Sequence, residues 1–254
     1  MNLRHSGMTD VGRKRDHNED NFLVQSEDRL FVVCDGMGGH ASGEVASQIA
    51  CDKISEFFSL TRDDDDVTWP YKGDRRLTET ENRIAVGVKW ANLSVFEKAT
   101  TSIKFKGMGT TCVSALFSNG ECAVAHVGDS RGYRIRDGAI EQVTEDHSLL
   151  NDYKKLAQLT PDEIKNFPHK NIITRALGMK PSVVVDTRID EVRDGDIYLL
   201  CCDGLSGELE SDEMLRIVLE ADGDLDKATA TLIEKANEHG GRDNITVVLV
   251  QAES

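Results

Sequence analysis

Four aspartates in this sequence adjoin short apolar, strand-like runs: Asp35, Asp129, Asp203 and Asp243. A carboxylate at the end of a buried strand is a partly buried charge, which must be paired or bound to a cation. Few lysines or arginines stand beside these aspartates. A divalent metal ion is therefore the simplest partner, and ligands that are all oxygen favour Mg²⁺, Mn²⁺ or Ca²⁺ over zinc.

The segment Asp35 to His40 is rich in glycine and reads Asp-Gly-Met-Gly-Gly-His before a helical pattern begins. A glycine after the aspartate permits a sharp turn that presents the Gly36 carbonyl oxygen to the same cation. This segment contains more glycine than a hairpin turn requires. For Asp203 and Asp243, each taken alone, a metal ligand and an ordinary turn residue remain equal alternatives.

A second polar element, Arg15 to Asp20, places a guanidinium group shortly before two adjacent carboxylates. Arginine binds phosphate through two parallel hydrogen bonds. Glu19 and Asp20 could hold a metal ion directly or through water. By itself, such a mixed-charge turn is more often plain surface, so its role depends on the other elements.

Other phosphate chemistries lack their sequence signatures. None of the six cysteines has an arginine six positions later, and the chain has no Gly-Lys pair from which to build a P-loop. The acidic run Asp63 to Asp66 resembles an aspartyl-phosphate motif but follows no buried strand, so we interpret it as a solvated loop. Because the cysteines form no Cys-x-x-Cys pair, we expect them to be reduced and structural.

Composition limits the class of function further. The 254 residues include 30 lysines and arginines against 45 aspartates and glutamates, which gives a formal net charge of −15. This acidity argues against binding to nucleic acid or to anionic lipid, both of which need basic surface. No apolar run approaches the roughly 18–20 residues of a membrane span, and Met1 to Asp10 lacks the apolar stretch of a signal peptide. We therefore expect a cytoplasmic protein.

Strands and helices must position these residues. Runs rich in β-branched and aromatic residues predict eight strands at Asn21 to Gln25, Arg29 to Cys34, Thr110 to Phe117, Glu121 to Val127, Gly132 to Arg136, Val183 to Ile189, Ile197 to Cys202 and Ile245 to Val250. Asp137-Gly138 predicts a tight hairpin turn. Helical spacing predicts four helices at Gly43 to Leu60, Leu77 to Thr100, Ser211 to Ala221 and Leu225 to His239. A shorter helix is predicted from Thr160, where Glu163 completes a capping box.

The strands come in antiparallel blocks with helix pairs inserted between the blocks. This order predicts an α+β fold, a β-sandwich of two antiparallel sheets with helices outside, in α-β-β-α layers. The absence of a repeat or low-complexity linker favours one domain over residues 1–254. Residues 147–170 form an irregular insertion.

Eight elements, in order along nearly the whole chain, resemble the metal-dependent protein serine/threonine phosphatases of type 2C, the PPM family, in its bacterial branch. They are Arg-x-x-Asn-Glu-Asp at Arg15 to Asp20, Asp-Gly-Met-Gly-Gly-His at Asp35 to His40 with Gly43-Glu44, Gly-Thr-Thr at Gly109 to Thr111, Val-Gly-Asp-Ser-Arg at Val127 to Arg131, Thr-x-Asp-His at Thr144 to His147, Ile173 to Gly178, Cys202 to Leu205, and Gly240 to Thr246.

The resemblance implies a centre of two Mn²⁺ or Mg²⁺ ions at one edge of the sandwich, with a weaker third ion. By position, it assigns the metal-site residues Asp20, Asp35, the Gly36 carbonyl, Asp129, Asp203 and Asp243, with Glu19 and Asn244 in support and Arg15 on the substrate phosphate. Asp129 and Asp203 match the third ion. Met37 stands where eukaryotic members carry a histidine proposed as general acid, so His40 is the nearest candidate proton donor, with helix capping as its alternative.

The implied activity is hydrolysis of phosphoserine and phosphothreonine in proteins by a metal-activated water, without a covalent enzyme intermediate. The expected partners are phosphorylated proteins and a cognate bacterial Ser/Thr kinase, and the protein is expected to be a monomer. The insertion at 147–170 lies where the family carries its variable flap. Two alternatives remain: a catalytically silent phosphoprotein-binding module, and a phosphoesterase acting on small phosphomonoesters or on a phosphorelay component.

Overall fold

Two antiparallel sheets form the centre of the protein in a computed structural model that describes residues 1–38, 42–62, 68–157, 160, 163–164, 167 and 172–253. The described residues contain eleven strands: β1 Asn2–Asp10, β2 Asp20–Gln25, β3 Leu30–Met37, β4 Gly109–Thr110, β5 Cys112–Ser118, β6 Glu121–Val127, β7 Arg131–Arg136, β8 Ala139–Gln142, β9 Asp186–Glu191, β10 Ile197–Cys201 and β11 Ile245–Glu253. One sheet has the order β1-β11-β10-β7-β8, and the other has the order β2-β3-β5-β6-β9 with β4 beside β3.

The described part of the chain includes the α-helices α1 Ser42–Leu60, α2 Glu79–Thr101, α3 Leu149–Leu156, α4 Asp203–Ser206, α5 Ser211–Glu220 and α6 Leu225–His239. Short 3₁₀ helices span Ser26–Asp28 and Ile103–Phe105. Helices α1 and α2 pack on the second sheet, and α5 and α6 pack on the first. None of these helices combines the length and apolar character needed to span a bilayer. The predicted sandwich of two antiparallel sheets flanked by helices is therefore confirmed.

The central strands are apolar on both faces because each face is covered. Alternate residues of a strand point to opposite faces, so Leu30 and Val32 of β3 pack towards the helices while Phe31 and Val33 pack towards the other sheet. The inter-sheet layer is the cluster between the two sheets that contains Phe31, Val33, Phe117, Tyr198, Leu200 and Val248. Phe117 and Tyr198 meet across it edge to face, with ring centroids 5.2 Å apart.

Local signals set the element ends as the sequence predicts. The Asp137-Gly138 turn joins β7 to β8, and both residues have positive φ. Helix α6 ends at Gly240-Gly241, where Gly241 N–H donates to the Ala236 carbonyl. The capping contact at Thr160 is also present, because its hydroxyl accepts from the Glu163 N–H at 3.3 Å.

Four elements differ from the sequence-based expectation. Residues Asn2–Asp10 form strand β1, which the sequence analysis missed, because all nine residues pair with β11. The insertion at 147–170 is not wholly irregular, since α3 lies within it. A four-residue helix, α4, begins at Asp203, where only a turn was expected. The strand predicted from Val183 begins at Asp186 instead.

Candidate active site

The candidate site lies at one end of the inter-sheet layer, where the residues that point inward change from apolar to polar. On β2 and β3 the inward series runs from Phe22 and Val33 to Asp20 and Asp35. On the facing sheet, Leu200 is followed two residues later by Cys202. Residues two apart share a face of a strand, so the sequence places carboxylates where the core meets solvent.

Asp20 and Asp35 are direct partners in the β2–β3 register. One oxygen of the buried Asp20 carboxylate, Oδ2, accepts from the Thr246 hydroxyl at 2.6 Å. Its other oxygen, Oδ1, is buried with no hydrogen-bond partner among the described residues. Burial, and secondly the charge of Asp20, raise the pKa of Asp35 well above its usual range. Burial also raises the pKa of Asp20 to about 7.

Asp203 and Asp243 approach the same place from the other sheet. Asp203 is the first residue of α4, directly after β10, and Asp243 lies two residues before β11. Burial, and then the charge of Asp243, raise the pKa of Asp203. The carboxylate of Asp243 accepts from the Arg15 guanidinium, with Nη2 2.6 Å from Oδ2. The structure therefore brings Arg15 to the candidate site.

Asp129 lies in the turn between β6 and β7 and is buried. Its Oδ1 has no hydrogen-bond partner within the described residues. Burial, and then the charge of Asp203, raise the pKa of Asp129 to about 7. Asp129 is thus a further carboxylate near Asp203.

These carboxylates fit divalent cations on the evidence of the side chains themselves. Several buried or partly buried acids repel each other, and two buried carboxylate oxygens have no donor within the described residues. Ligand atoms of Asp20, Asp35 and Cys202 lie within 4.8 Å of one another. A set dominated by carboxylate oxygens suits Mn²⁺ or Mg²⁺, and a bound cation would neutralise charges that otherwise oppose folding.

Gly36 must be a glycine because the chain is crowded around it. Its N–H donates to the Glu19 carbonyl at 3.2 Å. A Cβ on Gly36 would lie 2.2 Å from the Gly43 carbonyl oxygen and 2.5 Å from the Glu19 carbonyl oxygen. The close approach of these three backbones joins β3, the segment before β2 and the first turn of α1.

Asn244 ties the N-terminal loop to the site. Its side-chain oxygen accepts from the Glu19 N–H at 2.8 Å, and its Nδ2 donates to the carbonyls of Val11 and His17, each at 2.9 Å. The Glu19 carboxylate accepts from the Gly43 N–H at 3.2 Å. Glu19 and Asn244 therefore hold the backbone that carries Asp20.

The sequence did not indicate a functional role for two residues of the site, Thr246 and Cys202. The Thr246 hydroxyl donates its single proton to Asp20. It can therefore only accept from the Thr9 hydroxyl, 2.7 Å away, so Thr9 is the donor of that bond. The Cys202 sulfur accepts from the Thr246 N–H at 3.0 Å. Both continue a series of apolar inward positions at intervals of two, Cys202 after Leu200 and Thr246 before Val248, and this spacing was the available signal. Met37 lies at the end of β3, whereas His40 falls outside the described residues.

Comparisons with known proteins agree with this geometry. Residues 11–247 match the family model for protein phosphatase 2C. The serine/threonine phosphatase stp of Listeria monocytogenes serovar 1/2a is 37% identical over 248 residues, covering 96% of this chain and 93% of that protein. The crystal structure of the Mycobacterium tuberculosis serine/threonine phosphatase PstP/Ppp has a TM-score of 0.86 at 32% identity and covers 100% of both chains. The catalytic domain of PstP in complex with two manganese ions has a TM-score of 0.81 at 33% identity, with 99% of each chain covered.

The matched range contains every residue of the candidate site, from Arg15 to Thr246. The identities exceed 30% over nearly the full length of both chains, and the structural similarity extends over the whole sandwich. The predicted family is thereby confirmed. The chain belongs to the protein phosphatase 2C family, as a serine/threonine phosphatase of the bacterial PPM type.

Proposed function

We propose that the protein hydrolyses phosphoserine and phosphothreonine in proteins with two bound Mn²⁺ or Mg²⁺ ions. The observation that carries this proposal is the group of buried and partly buried carboxylates at the end of the inter-sheet layer, with two oxygens that lack a donor within the described residues. We assign the ions to Asp35, the Gly36 carbonyl, Asp203 and Asp243, with Asp20 beside them. The manganese complex of PstP, at 33% identity, supports this choice of metal.

The bound ions supply Lewis-acid chemistry, lowering the pKa of water and neutralising phosphate charge. Arg15 places its guanidinium at the rim of the site. Within the described residues, its hydrogen bond to Asp243 uses one terminal nitrogen, Nη2. Its remaining N–H groups suit the oxygens of a phosphate. Cys202 is excluded as a nucleophile, because burial and then the charge of Asp20 raise the pKa of its thiol well above the usual range.

Asp129 and Asp203 are proposed to hold a third, weaker ion. The support is the unpartnered Oδ1 of Asp129 and the effect of the Asp203 charge on its pKa. His40 remains the candidate proton donor to the leaving oxygen, on the sequence resemblance alone.

The proposed partners are phosphorylated proteins and a cognate Ser/Thr kinase whose action the enzyme opposes. The names of its relatives support protein substrates. Stp is named a serine/threonine phosphatase, and PhpP of Streptococcus pneumoniae, 35% identical over 246 residues, is named a protein phosphatase. We further propose that residues 1–254 act as one domain, as a monomer in the cytoplasm.

The decisive experiment measures phosphate release from a phosphothreonine peptide by metal-stripped protein, with and without Mn²⁺. Turnover should require Mn²⁺. Asp203→Asn should lower kcat by about 10²–10³-fold, as expected for the loss of one electrostatic element of a transition-state site. Asp212→Asn is the matched control, because Asp212 also lies in the first turn of a helix but is exposed.

Two outcomes would contradict the proposal. Equal turnover by Asp203→Asn and the wild type with Mn²⁺ would remove Asp203 from the metal site. A higher kcat/KM for small phosphomonoesters than for phosphoproteins would assign the site to metabolites, since kcat/KM is the quantity that discriminates substrates.

A further inference from the structure

A second cluster of metal-binding residue types lies outside the carboxylate site and consists of His126, His147 and Asp186. Their ligand atoms lie within 4.8 Å of one another. The two imidazole rings are stacked, however, with centroids 4.8 Å apart and planes inclined by 15°. Lone pairs of nearly parallel rings do not converge on one ion, and Asp186 already pairs with Arg175 at 2.6 Å. The cluster must therefore serve another purpose.

His147 forms hydrogen bonds with both the backbone carbonyl and the backbone N–H of Gly128. The His147 N–H donates to the Gly128 carbonyl at 2.9 Å. The Gly128 N–H donates to Nδ1 of the His147 ring at 3.0 Å. Since Nδ1 accepts, the ring proton resides on Nε2, which lies 3.1 Å from Asp186 Oδ2 and donates to it.

Arg175 completes the arrangement by donating to the other carboxylate oxygen of Asp186 at 2.6 Å. A carboxylate that accepts from one ring nitrogen fixes the tautomer and orientation of a histidine. Burial, and secondly the neighbouring His126, lower the pKa of His147, which keeps the ring neutral and Nδ1 able to accept.

Gly128 immediately precedes Asp129, so its position sets that of the carboxylate. Gly128 has a φ of +111°, and a Cβ there would lie 2.7 Å from the Thr111 side chain. On the far side of Asp129, Ser130 bonds to the Thr111 hydroxyl at 2.7 Å, and that hydroxyl accepts from the Asp35 N–H at 3.0 Å. The Asp129 turn is thus held from two directions, by Thr111 and by His147.

We propose that His147 is a positioning residue that fixes the Asp129 carboxylate relative to Asp35 and Asp203. Asp186 and Arg175 keep the imidazole in the form that accepts from Gly128. The inference rests on the proposed role of Asp129 at the metal site. It explains why the Thr-x-Asp-His and Ile-Thr-Arg elements, which supply His147 and Arg175, accompany the aspartates in this sequence.

The test compares His147→Asn with His147→Gln. An asparagine oxygen can take the place of Nδ1 and accept from Gly128, whereas a glutamine amide reaches the place of Nε2 and contacts Asp186 only. In metal-free protein, amide exchange of Gly128 should accelerate by about tenfold or more in His147→Gln, because the local opening free energy falls. His147→Asn should exchange at nearly the wild-type rate.

The variants His147→Asn and His147→Gln also test the effect of His147 on metal binding. The Mn²⁺ concentration for half-maximal turnover should rise about 10–100-fold in His147→Gln, as for other residues that support metal ligands. The substrate KM should change little, and His147→Asn should stay near wild type. Wild-type Gly128 exchange and Mn²⁺ dependence in His147→Gln would overturn the proposal.

A second variant, Asp186→Asn, covers the case in which His147→Gln fails to fold. It leaves the imidazole in place. The one remaining oxygen accepts from Arg175, so the amide NH2, a donor, faces Nε2, and ring ¹⁵N shifts of metal-free protein should reveal the Nδ1–H form. An unchanged tautomer and unchanged Gly128 exchange would also overturn the proposal. Gly128 exchange needs no metal and no turnover, so its outcome stands even if the proposed activity fails.

Discussion

Asp20 and Asp35 lie directly opposite each other across the β2–β3 pair, with both carboxylates on the face that forms the inter-sheet layer. Directly opposed like charges destabilise an antiparallel pair. In the metal-free protein the carboxylates of Asp20 and Asp35 therefore repel each other at the end of the core. The same negative charge attracts a cation.

We expect metal-free protein to lose stability as the pH rises from about 4 to about 7. Asp20 titrates near its usual value of about 3.9 when unfolded and at about 7 when folded. Between these values the folded state holds the proton and the unfolded state does not, so folding becomes less favourable as the pH rises. Asp20→Asn should raise the free energy of unfolding at pH 8 by about 1–3 kcal/mol in EDTA.

Thermal unfolding of both proteins at pH 5.5 and pH 8 measures this difference. Asp212→Asn, on the exposed surface of α5, should keep the wild-type pH dependence. The same slope in Asp20→Asn as in the wild type would show that Asp20 does not hold the raised pKa.

Arg15→Ala should raise KM for phosphopeptides with a small effect on kcat. A charge-assisted hydrogen bond contributes about 1.5–3 kcal/mol, so the expected rise in KM is about 10–100-fold. Arg4→Ala is a matched control, since both arginines pair with a carboxylate and are half exposed, at 50% for Arg4 and 51% for Arg15. Steady-state kinetics at saturating Mn²⁺ would separate the two constants. A wild-type KM in Arg15→Ala would place Arg15 outside the phosphate site.

Gly36→Ala should disrupt both the fold around the site and turnover. The new Cβ would meet carbonyl oxygens of Gly43 and Glu19, which are backbone atoms and cannot rotate away. Overpacking of this kind destabilises by about 1–3 kcal/mol or more. Gly120→Ala is the comparison, because its Cβ meets nothing within 4 Å and only its positive φ is unfavourable. Equal stability and activity in the two variants would contradict the crowding seen at Gly36.

Asn244→Ala should weaken Mn²⁺ binding as well as stability. It removes the acceptor for Glu19 N–H and the donor for two loop carbonyls, which are then left without partners. We expect a loss of about 2–4 kcal/mol from these groups and about 10–100-fold in metal affinity.

Asn82→Ala is the control for Asn244, because Asn82 also bonds several backbone groups but lies near the start of α2, far from the carboxylates in the sequence. It should lose stability without a change in Mn²⁺ affinity, measured by calorimetry. A similar loss of affinity in both variants would reduce the role of Asn244 to general stability.

The sequence predicted the core strands and the aspartates at their ends because both depend on local pattern. Apolar runs of strand length marked β3 and β10, and each ends at a carboxylate, Asp35 or Asp203. The structure brings these residues together with Asp20, Asp129 and Asp243 at one end of the inter-sheet layer.

Strand β1 could not be predicted because its cause is not local. Its residues are mostly polar and largely exposed, and they become a strand only by pairing along β11. Helix α4 is too short for helical spacing to mark it, and α3 has no buried residue to impose an apolar stripe. The partners of His147 were equally hidden, since Gly128, Asp186 and Arg175 meet it only in three dimensions.

The pairing of β1 with β11 also constrains the order of events during synthesis. The proposed site combines residues 15–20 with Asp243 to Thr246, which are more than 220 residues apart in the sequence. A nascent chain whose β11 has not yet emerged from the ribosome cannot bring these residues together. Contacts between segments this distant in sequence form slowly. Phosphatase activity should therefore appear abruptly during translation, once β11 is inserted between β1 and β10.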